Sequence, residues 1–389
     1  MDRTGSLSGP MPPPVPLGTA VVAAQTPASD ERVTSMRPWV IVSTHPHRPS
    51  PYFAELHRHA DPVVDMHFTP TLHELTRTFT KPGVVNLHRL KRLYQDSHGR
   101  RTAEHADAFL TQIQDLRARG WRVVWTVQNL LPIGDPPPGR LDRHVANSVL
   151  ANCDAVISHT HADAAYLRNH TAAPVVVTGW GAGMPPRPTT SQPSHVSALV
   201  EHMRATRLPI LTLGHLTSYK AIPETLEAFH THTRTAQLFL VGTSETDSIN
   251  RRITELMRTC GSRVHRHPHT IPAEHVPDLY KVAAAALCPY RTDGPWAFFT
   301  KVCRPASVIT ASALGRVVIA PDLPAVNEIT HGRPRMLYPP EQDPGPAIAA
   351  TEHALSTGAL TPAPEDPHPG SWVTVATTYQ YLARRLLTS

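Results

Sequence analysis

Residues 212–229 read TLGHLTSYKAIPETLEAF, and the order of residue types within them decides the fold. The stretch LPILTL (208–213) is apolar and partly β-branched, which suits a buried strand, and it runs straight into Gly214. A polar loop carrying His215 and Lys220 follows, and Pro223 opens the amphipathic stretch IPETLEAFHTH. Proline's fixed φ and missing N–H suit a first helical turn, so the segment reads as strand, glycine turn, loop and helix. An ammonium and a set of backbone N–H groups beside a helix N-terminus make a place for a diphosphate. An ordinary strand-to-helix loop with a solvated lysine has the same spacing, so both readings stand at this point.

Working outward, the same rhythm continues on both sides. Downstream, AQLFLVGT, SRVHRH, AAAALCPY and GRVVIAP are strand-like, and DSINRRITELMRTCG is an amphipathic helix between two of them. Upstream, PWVIVST, PVVDMHF, GVVNLH, RVVWTV and AVISHT alternate with helical stretches, and RTAEHADAFLTQIQDLRARG ends in a glycine suited to a helix C-cap. Buried strands alternating with helices imply a parallel, helix-covered sheet. The run GWGAGMPPRPTTSQPS (179–194) interrupts the rhythm with Gly, Pro, Ser and Thr. The chain therefore divides into a tail (1–36), a first doubly wound domain (37–178), a linker (179–207), a second doubly wound domain (208–345) and a helical segment (346–389) expected to pack back across the domains. The tail is rich in Pro, Ser and Thr without periodicity and is expected to be disordered. Ligands of open α/β sheets bind outside the carboxyl ends of the strands, which places the site in the cleft between the two domains.

Composition narrows the function. With 389 residues, 40% hydrophobic and 17% charged, the chain is long enough for two globular cores. Its net charge of +6 suits an anionic ligand, but no basic stripe interleaved with aromatics is present, and a nucleic-acid partner is not expected. The 4 cysteines lack C-x-x-C spacing, which indicates reduced thiols in a cytoplasmic protein. The 25 histidines include His45 with His47, His57 with His59, and His265, His267 and His269, yet none has a carboxylate partner at metal-ligand spacing, and no metal or other cofactor is expected. No apolar run approaches the ~20 residues that cross a bilayer.

The segment from Gly214 resembles the GT-B superfamily of retaining glycosyltransferases, whose second domain opens with G-x-hydrophobic-x-x-Y-K-G. Gly214, Leu216, Tyr219 and Lys220 match, and Ala221 stands where the family has glycine. Residues 120–134, GWRVVWTVQNLLPIG, are similar to V-V-W-T-V-H-N-L-x-P-H-E, with Gln128 in place of the histidine and Ile133 and Gly134 in place of the final His-Glu. Residues 286–324 are similar to P-Y-R, S-G-T and A-x-x-L-G-R-P-V-I-A, carried here by Pro289 to Arg291 and Ala311 to Ala320, with Val317 where proline is usual and Pro305, Ala306 and Ser307 replacing the Ser-Gly-Thr turn. The two glutamates that many relatives carry with seven residues between them are Val302 and Thr310.

The resemblance implies an α/β, GT-B fold and a glycosyltransferase that moves a sugar from a nucleotide-sugar donor to a small-molecule or glycan acceptor, with retention and without a metal. It implies a donor site of Gly214, His215, Lys220, Arg291, Ser307 and Thr310, in which Lys220 contacts phosphate. His45, Tyr52, Gln128 and Asn129 are expected on the acceptor side. The lost glutamates and Gln128, which cannot shuttle a proton near neutral pH, leave open a nucleotide-sugar-binding protein of weak catalysis. An epimerase acting on the nucleotide sugar alone needs paired carboxylates that the sequence does not offer.

Overall fold

The computed structural model describes residues 37–42, 51–60, 64–182, 191–366 and 372–387, so the expected tail of residues 1–36 lies outside the described residues. The first half runs β1 (Trp39–Val42), α1 (Pro51–Ala60), β2 (Met66–Thr69), α2 (Leu72–Thr78), β3 (Val84–Leu87), α3 (Ala103–Ala118), β4 (Arg122–Thr126), α4 (Arg140–Asn152), β5 (Ala155–Ser158), α5 (His161–Arg168) and β6 (Val175–Val177). After α6 (Ser194–Ala205) the second half runs β7 (Pro209–Leu213), α7 (Ile222–His232), β8 (Gln237–Val241), α8 (Asp247–Cys260), β9 (Val264–His267), α9 (Val276–Val282), β10 (Ala285–Leu287), α10 (Ala306–Ala313), β11 (Val317–Pro321), α11 (Pro324–Ile329), β12 (Arg335–Tyr338), α12 (Gly345–Thr357) and α13 (Trp372–Leu387). Each half builds one six-stranded parallel sheet, in the orders β2-β1-β3-β4-β5-β6 and β12-β11-β10-β7-β8-β9. Both orders reverse at the first strand of the half, which makes each sheet doubly wound.

Strand alternation builds the cores. In β1, Val40 and Val42 face one core while Trp39 and Ile41 face another, and in β7 Leu211 and Ile210 divide in the same way. One core continues from Trp125 and Val127 of the first half to Phe239 and Val308 of the second. Another is closed by α13, whose Val375, Tyr379 and Leu382 pack with Trp39, Ile41 and Leu56. The Tyr379 hydroxyl accepts a hydrogen bond from Asn86 Nδ2 at 3.3 Å, and Asn86 in turn accepts one from Thr126 at 2.9 Å, so the last helix is hydrogen-bonded into the centre of the first sheet. The linker is not coil throughout: from Ser194 it forms α6, whose Val196, Val200 and Met203 are buried.

The halves also meet through polar contacts. Glu328 of α11 accepts the N–H groups of His161 and Ala162 at 2.9 Å each, capping the N-terminus of α5. Glu245, beyond β8, accepts the Asp135 N–H at 2.7 Å. An isolated antiparallel bridge joins Asn129 to Cys303.

Candidate active site

Glycine shapes the floor of the site. Gly214 has φ of 111° and Gly242 has φ of 128°, conformations that favour glycine. Their backbones pack so closely that a Cβ on Gly242 would collide with the Gly214 carbonyl, while a Cβ on Gly214 would lie 3.1 Å from Lys220 Nζ. The two turns thus bring the ends of β7 and β8 together and leave room for the lysine amine.

Lys220 is buried, 6% exposed, and its Nζ donates to the Leu213 carbonyl at 3.3 Å. Ser307, in the first turn of α10, donates from Oγ to the same carbonyl oxygen at 3.4 Å. The ammonium and the helix start therefore flank one atom, although 87 residues separate them in sequence (307 − 220). Lys220 makes no ion pair among the described residues; burial pushes its pKa down to about 8, with only the nearby Cys288 pulling the other way. A desolvated cation without a counter-charge, beside the free N–H groups of a helix start, is arranged to receive an anion.

The other expected residues take varied positions. His215 is exposed and its Nδ1 lies 2.8 Å from Thr243 Oγ1. Thr310 lies one turn along α10 and donates its hydroxyl to the Ala306 carbonyl at 3.0 Å. The Arg291 guanidinium pairs with Glu224 at 3.2 Å and Asp293 at 3.3 Å. It lines an outer groove of about 600 Å³ together with Ala221, Glu224, Tyr338 and Asp343, while Lys220 and Ser307 are not among the residues lining that groove. Gln128 is half-buried with no hydrogen bond from its amide among the described residues, and the Asn129 bridge to Cys303 carries its loop to the segment that leads into α10. His45 lies outside the described residues. Tyr52 sits in the first turn of α1 and is 6% exposed.

Sequence reading missed three groups of residues here. The long loop before α10 folds inward, and Trp296, Phe298 and Phe299 are buried, with Trp296 and Phe299 packed against Tyr219 at ring separations of 5.8 and 5.5 Å. An aromatic wall therefore packs on Tyr219, the residue before Lys220; the aromatic residues of this longer loop are visible in the sequence, but their inward packing is not. His88 and His159 follow β3 and β5, and both are buried. Arg304 lays its guanidinium over the Tyr52 ring at 4.4 Å. His265, His267 and His269 associate with His195 and with His202 of α6 as stacked and edge-on rings rather than as ligands. Among the described residues, no three His, Cys, Asp or Glu side chains are grouped to hold a metal ion, and no helix is long and apolar enough to cross a membrane.

Residues 207–357 match the family of Glycosyl transferases group 1. No curated protein matches the chain. Among solved structures, the chain is similar to one from E. coli described as trehalose-6-phosphate bound with UDP-2-fluoro glucose, at 11% identity and a TM-score of 0.58 over 90% of this chain and 96% of that one. It is similar to Anabaena HepE in complex with UDP-glucose, at 13% identity and a TM-score of 0.56 over 90% and 96% of the two chains. It is also similar to AviGT4, a glycosyltransferase involved in avilamycin A biosynthesis, at 14% identity and a TM-score of 0.51 over 91% and 99%. The two-sheet architecture is thus the GT-B fold.

Proposed function

We propose that this chain, with its GT-B fold and its group 1 match over residues 207–357, is a glycosyltransferase that transfers a sugar from a nucleoside diphosphate sugar to a hydroxyl of a small-molecule or glycan acceptor, with retention at the anomeric carbon and with protein groups, not a metal, neutralising the diphosphate. The observation that carries this reading is the convergence of buried Lys220 and the Ser307 helix start on one carbonyl oxygen. As the bond from the anomeric carbon to the diphosphate oxygen breaks, negative charge grows on the diphosphate. Lys220, the Ser307 hydroxyl and the first N–H groups of α10 stabilise it there without reorganising. The acceptor oxygen forms the new bond on the same face, and its proton departs on the leaving diphosphate. The Gln128 and Asn129 loop, bridged to Cys303, orients the acceptor by hydrogen bonding and does not move a proton. UDP-glucose is the first donor to try, because the similar structures hold UDP-sugars.

The test is a mass-spectrometric screen of the purified chain against nucleotide-sugar donors and a panel of acceptors, followed by NMR of the product's anomeric coupling. Donor-dependent release of nucleoside diphosphate with a retained anomeric configuration is the expected result. A second reading, a donor-binding protein of weak turnover, is favoured by one observation: at the two positions where many relatives carry glutamate, Val302 is fully buried and Thr310 is bonded to its own helix. Binding of donors without release of diphosphate under any acceptor supports that second reading over the first.

A further inference from the structure

Beside the start of α10, between the two sheets, lies a second polar group that the donor site does not use. His88, His159 and Tyr52 are 3%, 1% and 6% exposed. Their rings meet edge to face, with Tyr52 5.7 Å from His159 and 6.3 Å from His88. Arg304 covers the Tyr52 ring at 4.4 Å and, among the described residues, donates its hydrogen bonds to two backbone carbonyls, those of Trp180 at 2.8 Å and Gly181 at 2.9 Å. Trp372, at the start of α13, packs on Tyr52 at 5.4 Å and donates its Nε1–H to the Ala182 carbonyl at 2.9 Å. Elements from both halves and the last helix therefore close around one spot.

Neither hydrogen bonds nor charge balance there. Among the described residues, both ring nitrogens of His88 are buried without a partner, and His159 bonds the Gly179 carbonyl through Nδ1 while its Nε2 has none. A buried polar nitrogen left unpaired costs about 1–3 kcal/mol, so such groups mark places that a partner completes. The groups that act electrostatically on His88 are His159, Arg89 and Arg304, all basic, and those that act on Arg304 are Tyr52 and Arg89. Neither arginine makes an ion pair among the described residues. Desolvated guanidinium without a carboxylate, together with unpaired imidazole nitrogens, fits an oxyanion.

We propose that His88, His159 and Arg304 form an anchoring subsite for an oxyanion carried by the acceptor, a phosphate monoester or a carboxylate. The inference rests on the glycosyltransferase reading for the word acceptor, and it narrows that acceptor to an anionic sugar or metabolite. Its position agrees: His88 and His159 stand at the carboxyl ends of β3 and β5, where an open sheet receives ligands. Arg304 lies in the loop just before α10, three residues ahead of Ser307, so the proposed anchor and the donor group flank the same helix start.

The experiment is isothermal titration of the full chain, with UDP present at saturation, using glucose 6-phosphate, glucuronate and glucose as probes. Binding of at least one anionic sugar ten times tighter than glucose is expected, and the stronger of the two tells phosphate from carboxylate. Arg304→Gln and His88→Leu should each weaken the anionic sugar at least tenfold while leaving UDP affinity unchanged. Arg304 bridges two chain segments, so if its variant fails the circular dichroism check, His88→Leu and His159→Leu decide. Equal binding of all three sugars, no binding of any of them to a chain that binds UDP, or full affinity in the folded variants would overturn the subsite. If UDP does not bind but the anionic sugar binds in an Arg304- and His88-dependent way, the subsite stands and the glycosyltransferase reading falls.

Discussion

Burial without a counter-charge is the property of Lys220 from which its chemistry follows. With its pKa lowered to about 8 by desolvation, the amine is largely charged at neutral pH and loses its proton just above it. A bound diphosphate favours the charged form, so UDP affinity should be constant between pH 7 and 8 and fall above pH 8 by up to tenfold per unit. Titration of UDP from pH 7 to 9.5 checks this, and Lys220→Met should remove the slope. Charge-assisted hydrogen bonds are worth about 1.5–3 kcal/mol, so Lys220→Ala should lower kcat/KM for the donor roughly ten- to a hundredfold, and Lys220→Arg should not restore it because the planar fork delivers its donors differently. A flat pH profile in the wild type would remove Lys220 from the donor site. The next residue tells a separate story: Ala221 sits at φ 48°, ψ 39°, the left-handed region, where the resembling family has glycine. That conformation costs a residue with a Cβ about 1–2 kcal/mol, partly offset because alanine has less unfolded-state entropy than glycine. Ala221→Gly should therefore stabilise the chain by about 0.5–1 kcal/mol in urea unfolding, with donor affinity intact.

At the scale of elements, α13 does more than end the chain. It is the only described helix after residue 366, and its buried Val375, Tyr379, Leu382 and Leu386 cover the face of the first sheet that α1 also packs against. Leu382 is fully buried, and Leu382→Ala should cost about 2–5 kcal/mol, read as a lower urea midpoint with an unchanged slope. A cost below 1 kcal/mol would mean that this helix is loosely held. Its apolar residues at helical spacing were visible in SWVTVATTYQYLARRLL. The elements that sequence reading missed share a physical reason. β6 is only Val175–Val177 between a proline and Thr178, and β12 is Arg335–Tyr338 between Pro334 and Pro339; both are edge strands, half-exposed and too short to show a period. The eight central strands read as continuous, largely buried apolar runs, and the edge strands β2 and β9 were legible beside them from PVVDMHF and SRVHRH. Helix α6 was hidden by the Pro, Ser and Thr run before it, since its own apolar residues begin only at Val196.

At the scale of the whole molecule, the site divides into a part written locally and a part made only by folding. Gly214, Lys220 and the start of α10 carry a local pattern, strand, turn and helix start, so their meeting at Leu213 was legible once the two halves were recognised. His88, His159, Arg304 and Asp163 carry no local pattern. His88 and His159 follow strands of the first half, Arg304 lies in a loop of the second, and Asp163, in α5, accepts the Cys303 N–H at 3.4 Å, so each owes its buried surroundings to the packing of the halves. That shared burial makes folding depend on pH with a sign that can be worked out. Burial lowers the His159 pKa to about 3 and holds His88 well below the usual histidine value. Between those values and about 6.5 the unfolded chain binds both protons and the native chain does not, so these two groups lose stability as pH falls. Asp163 works the other way: burial, opposed by hydrogen bonds from Thr160 and Cys303, raises its pKa to about 7. From about pH 4 to 7 the native chain holds a proton that the unfolded chain has released, so Asp163 loses stability as pH rises. Two histidines oppose one aspartate, leaving a net difference of about one proton, or on the order of 1.4 kcal/mol per pH unit, in favour of the unfolded chain on acidification. Urea unfolding at pH 4.5, 5.5 and 6.5 should show the wild type losing stability towards the acid end. Asp163→Asn should steepen that loss by about 1.4 kcal/mol per pH unit, and His159→Phe should reduce it by about as much, because each removes one titrating group from the opposition. If the wild type instead gains stability on acidification, the two histidines are not held neutral in the folded protein, and the buried basic cluster at the junction of the halves has a counter-charge within it.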